Sequence, residues 1–295
     1  MANILKDLSA AFREAINRAA AYTVGLVREP YAVSGVLIGG DRVLTAGHLV
    51  PDEGIDVLLP DGKTVKATVA GRDTLHDLAL LRLGGAISAP VPATASVEVG
   101  DLVVSLKRDP IDGINASRGM VSAKGEKLRL GRSTVIERYF QTDTDRLMGT
   151  TGGPLANFDG AFAGILVFNR RMGAELALPA DLALARAKLI EEKGSVKRPY
   201  LGVRSQAVPL PKTALDAMKG KQETGLLLVS VEKGMAAEGA GLEVGDILVT
   251  FGGSPVSDHE ALVNALAAKG AGAKVDAQVV RGGALRTVSV TIGGV

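Results

Sequence analysis

Residues 149–155 read Gly149-Thr150-Thr151-Gly152-Gly153-Pro154-Leu155. The glycines allow backbone torsions and close approaches that side chains would block, so the stretch predicts a sharp turn. In such a turn the backbone N–H groups of Gly149 and Thr151 can converge on one point and form an oxyanion hole. A glycine-rich loop alone is weak evidence of function, but a hydroxyl at Thr151 beside such N–H groups is the arrangement that acyl transfer by a hydroxyl nucleophile requires. That chemistry also needs a general base and a group that orients the base.

The candidate base and its partner precede this loop. The sequence has three histidines, at positions 48, 76 and 259. His48 ends the segment Val43-Leu44-Thr45-Ala46-Gly47-His48, and Asp77 begins Asp77-Leu78-Ala79-Leu80-Leu81. Both segments and the loop closely match motifs of trypsin-like proteases, and the order histidine, aspartate, hydroxyl is the chymotrypsin-like order. We therefore predict that His48 is the base, Asp77 orients it and Thr151 attacks, while His76 is expected at the surface.

Short β-rich segments, one of them predicted over Val135–Thr142, dominate residues 22–192, and turn signals separate them. About ten strands with no helix between them favour antiparallel barrels over a parallel sheet. Apolar residues at helical spacing predict an N-terminal helix within residues 1–21. The polar segment 193–199 is predicted to be a linker, and residues 200–295 a second domain. The sequence thus predicts a mostly β protein.

Further motifs extend the likeness over nearly the whole chain. The chain resembles the HtrA/Deg family of serine proteases at Gln141-Thr142-Asp143, Gly119-Met120-Val121-Ser122-Ala123, Gly164 to Asn169, Leu178-Pro179-Ala180-Asp181 and Tyr200-Leu201-Gly202-Val203. The resemblance implies a chymotrypsin/trypsin-like double six-stranded β-barrel, with the site in the cleft between the barrels, followed by a C-terminal PDZ domain. It also implies homotrimers or higher homo-oligomers assembled through N-terminal residues, and protein quality control by degradation of misfolded protein.

The second domain is expected to bind peptides. PDZ domains hold a C-terminal carboxylate in backbone N–H groups and add the peptide to a sheet edge. The resemblance places that loop at Tyr200, Leu201, Gly202 and Val203, and unfolded polypeptides and C-terminal peptides are the expected partners. Leu262 and Leu266, on a helix predicted over Ser257–Ala268, either line the peptide groove or fill the core. Ser257 and Glu260 are predicted to form a capping box at its start.

One position, Thr151, departs from the family pattern, and a second, Asp145, leaves the substrate specificity open. Thr151 stands where the family has serine, and its extra methyl group stiffens χ1 beside the base. The chain is then a weak endopeptidase, or an inactive pseudoprotease that acts as a peptide-binding scaffold or holdase, or it carries a threonine introduced to trap a structure. Asp145 lies where trypsin has the aspartate of its specificity pocket, or it forms a surface ion pair with Arg146.

Composition narrows the remaining classes of function. The absence of cysteine excludes disulfides and thiol nucleophiles, and the scattered histidines lack metal-ligand spacing, so no metal or other cofactor is predicted. A net charge of +2 argues against a nucleic-acid partner. No apolar run approaches the roughly 18 residues of a membrane span. No signal peptide is visible, which favours a cytoplasmic protein, or a periplasmic one if a leader has been removed.

Overall fold

The computed structural model describes residues 3–28, 33–52, 54–85, 87, 89, 91–126, 128–130, 134–145, 147–169, 174–212, 215 and 222–295. The chain forms two compact units, residues 1–196 and 197–295. The first unit begins with helix α1 (Ile4–Ala20), which Asn3 caps by accepting a hydrogen bond from the backbone N–H of Lys6. The small side chains of Ala15 and Ala19 are buried against the first unit, so the helix packs closely on it.

Six of the described strands close the first barrel. They are β1 (Thr23–Val27), β2 (Val33–Leu37), β3 (Arg42–Ala46), β4 (Ile55–Leu58), β5 (Thr64–Asp73) and β6 (Leu78–Leu83). Their order is β5-β4-β1-β2-β3-β6, and β5 pairs with β6 to close the ring. At ten residues β5 is long enough to pair with both neighbours, and a register shift between Val69 and Gly71 bends it across the closure.

The second barrel follows, and here one predicted strand proves to be two. The next strands are β7 (Leu102–Asp109), β8 (Gly113–Gly125), β9 (Leu128–Leu130), β10 (Thr134–Ile136), β11 (Tyr139–Thr142), β12 (Pro154–Asn157), β13 (Phe162–Asn169) and β14 (Ala174–Pro179). The closed order is β11-β14-β13-β12-β7-β8. The predicted single strand Val135–Thr142 is wrong, because β10 pairs with β9 in a separate hairpin whereas β11 pairs within the barrel. Two six-stranded barrels, as predicted, therefore make up most of the first unit.

Helix α2 (Ala180–Lys193) closes the first unit. Its buried face presents Ala180, Ala183, Ala187 and Ile190 to the main core of the first unit. The short strand β15 (Ser195–Val196) then pairs in parallel with the end of β5. The chain thus leaves the first unit alongside Arg72 and Asp73, a placement that becomes important for the site.

In its described residues, the second unit contains a six-stranded sheet, a separate two-stranded sheet and helices between the strands. Its elements are β16 (Pro199–Tyr200), β17 (Val203–Pro209), β18 (Thr224–Val231), α3 (Ala236–Gly239), β19 (Ile247–Phe251), β20 (Ser254–Pro255), α4 (His259–Lys269), β21 (Lys274–Arg281), β22 (Ala284–Thr291) and β23 (Gly293–Gly294). The order is β17-β18-β19-β21-β22, with β20 paired to β19 and β16 to β23. The capping box predicted from Ser257 and Glu260 is wrong: Asp258 caps α4, because its carboxylate reaches the N–H of Ala261 at 2.8 Å.

A helix that crosses a membrane must be both long and apolar, and no helix among the described residues meets both requirements.

Candidate active site

The structure brings His48 and Asp77 together at the ends of two paired strands. Ala46 at the end of β3 pairs with Leu78 at the start of β6, so the residues just beyond them are neighbours. His48 follows in a single 3₁₀ turn, Gly47–Leu49. Its backbone N–H donates to Asp77 Oδ1 at 2.8 Å, and its ring Nδ1 lies 2.6 Å from Asp77 Oδ2. One carboxylate thus holds both the backbone and the ring of the histidine.

This pairing sets what the imidazole can do. With Nδ1–H donating to the carboxylate, Nε2 is left unprotonated and able to accept a proton. The two side chains are about one-third exposed, at 33% for His48 and 35% for Asp77, so the ring stays within reach of a substrate. The arrangement is that of a general base with its orienting carboxylate.

The geometry requires an uncommon backbone at Asp77. Among the described non-glycine residues, Asp77 alone has a positive φ, at 55°. The left-handed region costs most L-residues about 1–2 kcal/mol, although aspartate tolerates it better than bulky residues. Such strain persists when surrounding contacts determine the conformation, and it occurs often at functional sites. The Asp77 turn is therefore a local sign of function that the sequence does not show.

The glycine-rich loop of the second barrel packs against the same strand end. Gly152 has a φ of +86°, and its N–H donates to Leu166 O at 2.7 Å. A Cβ atom on Gly152 would lie 2.4 Å from Thr45 Oγ1 and 2.9 Å from Ala46 N. Only glycine therefore fits there, and the loop passes directly beside the residues that lead into His48. Because Thr151 precedes Gly152 in the chain, it lies one residue from this contact.

The predicted oxyanion hole and specificity position lie in the same loop region. Gly149 has a φ of +93°, consistent with a sharp turn, and both Gly149 and Thr151 are half-buried. Their N–H groups remain the predicted oxyanion hole. Asp145 is exposed, and its N–H donates to Ser117 Oγ at 2.8 Å. Its predicted ion-pair partner Arg146 lies outside the described residues, so the choice between a specificity carboxylate and a surface pair stays a prediction.

His76, expected at the surface, is instead buried. Its residue is 1% exposed, and its Nδ1 lies 3.0 Å from Oδ2 of Asp73, whose side chain is also fully buried. Arg186 Nε donates to the same oxygen at 2.5 Å. Burial opposes the charge of Asp73, but the hydrogen bonds and charges of His76 and Arg186 outweigh it and hold the pKa of Asp73 below its usual range.

Asp73, Arg72 and Arg186 were not among the predicted residues. One local signal for Asp73 exists: an aspartate at the end of a strand commonly accepts hydrogen bonds from N–H groups two and three residues later. Asp73 does so from Leu75 and His76. The arginines carry no comparable signal, because their partners are distant in sequence.

In the second unit the predicted peptide-binding residues lie around the start of β17. Tyr200 ends β16, and its hydroxyl donates to Glu232 Oε1 at 2.8 Å, a bond that raises the pKa of Tyr200. Gly202 has a φ of +80°, and Val203 begins β17. Leu201 is buried at 2% exposure, so its side chain belongs to the core. In the described part of the sheet β17 is an edge strand, paired to β18 alone.

The two leucines of α4 were predicted to line a groove or to fill the core. Leu262 and Leu266 are 2% and 7% exposed and belong to the core of the second unit. The core alternative is therefore the one that the structure bears out. Any peptide groove beside α4 must use other side chains.

Comparisons with known proteins agree with both units. Residues 33–165 match the family model of the trypsin-like peptidase domain, and residues 199–292 match that of the PDZ domain. A probable periplasmic serine endoprotease DegP-like of Pseudomonas putida (strain W619) is 33% identical over 270 residues, 88% of this chain and 55% of the relative. A protein of the same name from Rhizobium meliloti (strain 1021) is 30% identical over 279 residues, 91% and 54% of the two chains. The chain thus spans about half the length of the curated relatives it matches.

Solved structures of serine proteases also match both units of the chain, over nearly its full length. The serine endoprotease from Yersinia pestis is 26% identical, with a TM-score of 0.71, and the alignment covers 96% of this chain and 98% of that one. The HtrA-type protease AlgW with a tripeptide is 27% identical, with a TM-score of 0.67 and 96% coverage of both chains.

The names of the relatives correct one prediction. The curated relatives above are named periplasmic, so the expectation of a cytoplasmic protein is wrong. That expectation rested on the lack of a visible leader, and a leader is no part of the folded domain that a mature protein retains.

Proposed function

The chain is HtrA/DegP-like, with a trypsin-like peptidase domain followed by a PDZ domain, and we propose that it is a serine-type endopeptidase of the periplasm that acts on unfolded or misfolded proteins. The observation that carries the proposal is the pair of bonds between Asp77 and His48, at 2.8 and 2.6 Å. The relatives' names support the reaction class. The PDZ unit supports a polypeptide substrate.

A residue of this chain is assigned to each step of peptide-bond hydrolysis. Thr151 Oγ1 attacks the peptide carbonyl while His48 Nε2 takes its proton, and Asp77 stabilises the imidazolium that forms. The N–H groups of Gly149 and Thr151 stabilise the tetrahedral oxyanion. Collapse of this intermediate expels the amine, which receives the proton from His48. His48 then takes a proton from a water molecule, which attacks the Thr151 ester and releases the carboxylic acid.

Threonine at position 151 makes this chain a slow enzyme. The added methyl group restricts χ1 and must fit beside the base and the oxyanion hole. A displacement of about 1 Å costs on the order of 100-fold in rate, and complete loss of the nucleophile costs about 10⁶ in kcat. We therefore place the activity of the threonine enzyme between these limits relative to serine.

Hydrolysis of unfolded casein by the chain and by its Thr151→Ser variant tests the proposal. Thr151→Ser is expected to raise kcat by at least about 100-fold. The matched control carries both Thr151→Ser and His48→Ala and is expected to be inactive. A fluorophosphonate probe should label residue 151 in the serine variant. Absence of both cleavage and labelling in that variant would contradict the protease proposal and leave a peptide-binding scaffold.

The second unit is proposed to bind the C-termini of polypeptides. AlgW was solved both with a tripeptide and with a decapeptide, which supports peptide binding by proteins of this architecture. Here the segment Tyr200, Leu201, Gly202 and Val203 precedes the edge strand β17, to which a peptide strand could add. Calorimetry with peptides that end in apolar residues should give micromolar affinity. Blocking the peptide carboxylate with an amide should abolish it.

Assembly is the last part of the proposal. We propose homotrimers or larger homo-oligomers formed through the N-terminal residues. Ile4 and Leu5 on α1 are 76% and 75% exposed, which leaves apolar surface for another subunit. Light scattering coupled to size-exclusion chromatography measures the mass directly. A monomer at micromolar concentration would contradict this part alone.

A further inference from the structure

The last two residues of β5 lie between the two turns that carry His48 and Asp77. The guanidinium of Arg72 donates to the carbonyl oxygen of Gly47, and to those of Val50 at 2.8 Å and Pro51 at 3.2 Å. These carbonyls flank His48 on both sides. Arg72 is therefore bonded to the histidine turn before and after the residue that does the chemistry.

Asp73, the next residue, is bonded to the other turn. Its Oδ1 accepts from the N–H groups of Leu75 at 2.9 Å and His76 at 3.2 Å, and its Oδ2 from His76 Nδ1 at 3.0 Å. The turn that these bonds shape ends at Asp77, whose backbone is left-handed. Arg186 of α2 completes the set with its bond to Oδ2. The turn is thereby tied to a helix distant in sequence.

Burial makes this arrangement rigid. The side chains of Asp73 and His76 are fully buried, and that of Arg186 is 18% exposed. Among the described residues, the Nε2 atom of His76 has no hydrogen-bond partner. The bond from Nδ1 to Asp73 is therefore what holds the His76 ring in the described structure. The other edge of β5 is covered by β15, where Val196 O accepts from the N–H of Thr74 at 3.1 Å. Water therefore has little access to compete for these bonds.

Stability alone is a weak reason for such a network. Buried ion pairs often stabilise a fold no better than apolar residues of similar size, because desolvation offsets their attraction. Their directional bonds do, however, fix where the attached backbone lies. Here the attached backbones are those of the proposed base and its orienting carboxylate.

We propose that Arg72 and Asp73 are positioning residues: Arg72 fixes the turn of His48, while Asp73, held by His76 and Arg186, fixes the turn of Asp77. Together they set the 2.6 Å contact between the His48 ring and Asp77. The catalytic part of this inference rests on the proposed function. The geometric part, the orientation and tautomer of His48, does not.

The geometric part is tested by nuclear magnetic resonance on the whole chain labelled with ¹⁵N-histidine. Long-range ¹H–¹⁵N correlations report which ring nitrogen carries the proton, and loss of signals in His76→Gln and His259→Gln assigns the three rings. His48 is expected as the Nδ1–H tautomer. Arg72→Gln and Arg186→Gln are expected to convert it to a mixture with the Nε2–H tautomer, because Asp77 is then no longer held against the ring.

The matched control is Glu191→Gln. Glu191 lies on the same helix as Arg186 and pairs with Arg42 and Arg82 of the same barrel, away from both turns. Removing its charge breaks the ion pairs that join the same helix to the same barrel, at side chains that are about one-third exposed. Glu191→Gln should leave the His48 tautomer unchanged. If a general loss of stability were enough to change the tautomer, Glu191→Gln would change it as well.

The catalytic part is measured in the Thr151→Ser background with casein. Arg72→Gln and Arg186→Gln are expected to lower kcat by about 10–100-fold with little change in KM, since they displace reacting groups rather than the substrate. Arg186→Lys should restore part of kcat, and it replaces Arg186→Gln if circular dichroism shows that the latter does not fold.

The outcomes separate the two proposals. An unchanged His48 tautomer and unchanged kcat in the Arg72 and Arg186 variants would overturn the positioning role, as would an equal effect of Glu191→Gln. If Thr151→Ser cleaves nothing, the proposed function fails, and the tautomer of His48 alone decides the positioning role.

Discussion

The two units contain the same electrostatic device, used under different constraints. In the first unit the buried Asp73 accepts from N–H groups of its turn and from Arg186. In the second unit Asp246, 1% exposed, accepts from the N–H of Glu243 at 2.9 Å and from two nitrogens of Arg281 at 2.7 Å. Each aspartate thus joins a turn to a distant arginine.

The turns differ in which residue takes the unfavourable torsion. In the second unit the residue before Asp246 is Gly245, with a φ of +97°, a region open to glycine without strain. In the first unit the left-handed residue is Asp77. Glycine would fit that backbone better but has no carboxylate for His48. The comparison shows that a strained side chain is retained where chemistry requires it, whereas a turn without that demand uses glycine.

The largest effect is expected from removing the charge at the strained position. Asp77→Asn keeps a residue that tolerates the left-handed region but can stabilise the wrong tautomer of His48. In the Thr151→Ser chain we expect kcat to fall by about 10⁴ with the fold intact. Casein hydrolysis and thermal unfolding measure the two quantities. Asp61→Asn, at an exposed turn of the same barrel, should change neither kcat nor the thermal unfolding temperature. A comparable fall in kcat for Asp61→Asn would contradict the special role of the Asp77 carboxylate.

The next effect concerns stability and its pH dependence. Asp73→Asn leaves Arg186 without its buried partner, which we expect to destabilise the first unit by about 3 kcal/mol at neutral pH. Because the pKa of Asp73 is lowered in the folded state, its stabilisation is present above the unfolded pKa of about 3.9. It is lost as pH falls through the folded pKa. Calorimetric scans of both chains should therefore differ at pH 7 and converge in acid.

Asp246→Asn supplies the counterpart in the second unit. The pKa of Asp246 is also lowered, since bonds from Arg281 and Glu243 outweigh the effect of burial. The same sign of pH dependence is expected, confined to the transition of the second unit, with kcat unchanged. A shift of the same transition by both variants would contradict the assignment of each device to its own unit.

A smaller effect should come from the torsion of Gly245. No atom lies within 4 Å of a Cβ built there, so Gly245→Ala tests the backbone conformation without a clash. We expect a loss of about 1–2 kcal/mol in unfolding free energy, measured in urea. Gly239, at the end of α3, has equally open surroundings and no positive φ. Gly239→Ala should be neutral or slightly stabilising, and an equal loss in both would show that torsion is not the cause.

The smallest effect is expected where a carboxylate caps a helix at the surface. Asp258 accepts from Ala261 N–H at the start of α4, and its removal by Asp258→Ala should destabilise the second unit by about 1 kcal/mol. Ser257→Ala, at the position that the sequence suggested as the cap, should have almost no effect. If thermal unfolding instead shows destabilisation by Ser257→Ala and none by Asp258→Ala, Ser257 is the N-cap that the sequence predicted.

Much of the site could be read from local motifs because its chemistry sits in short segments. His48 follows one strand and Asp77 precedes the next, and the glycine-rich loop holds Thr151. Antiparallel pairing of β3 and β6 then brings the first two together without further information. The burial of His76 could not be read in this way. Its partner Asp73 is near in sequence, but the helix that covers them is not.

The sequence by itself determined the fold class, the two barrels followed in the chain by a PDZ unit, and the identity of the candidate catalytic side chains, because each depends on residues within a few positions of one another. Only the tertiary structure decided how these side chains are held. Arg186 reaches Asp73 across 113 positions, and Gly152 approaches Thr45 from the other barrel. Contacts of that span depend on how the closed barrels and α2 pack, and packing leaves no periodic trace in the chain.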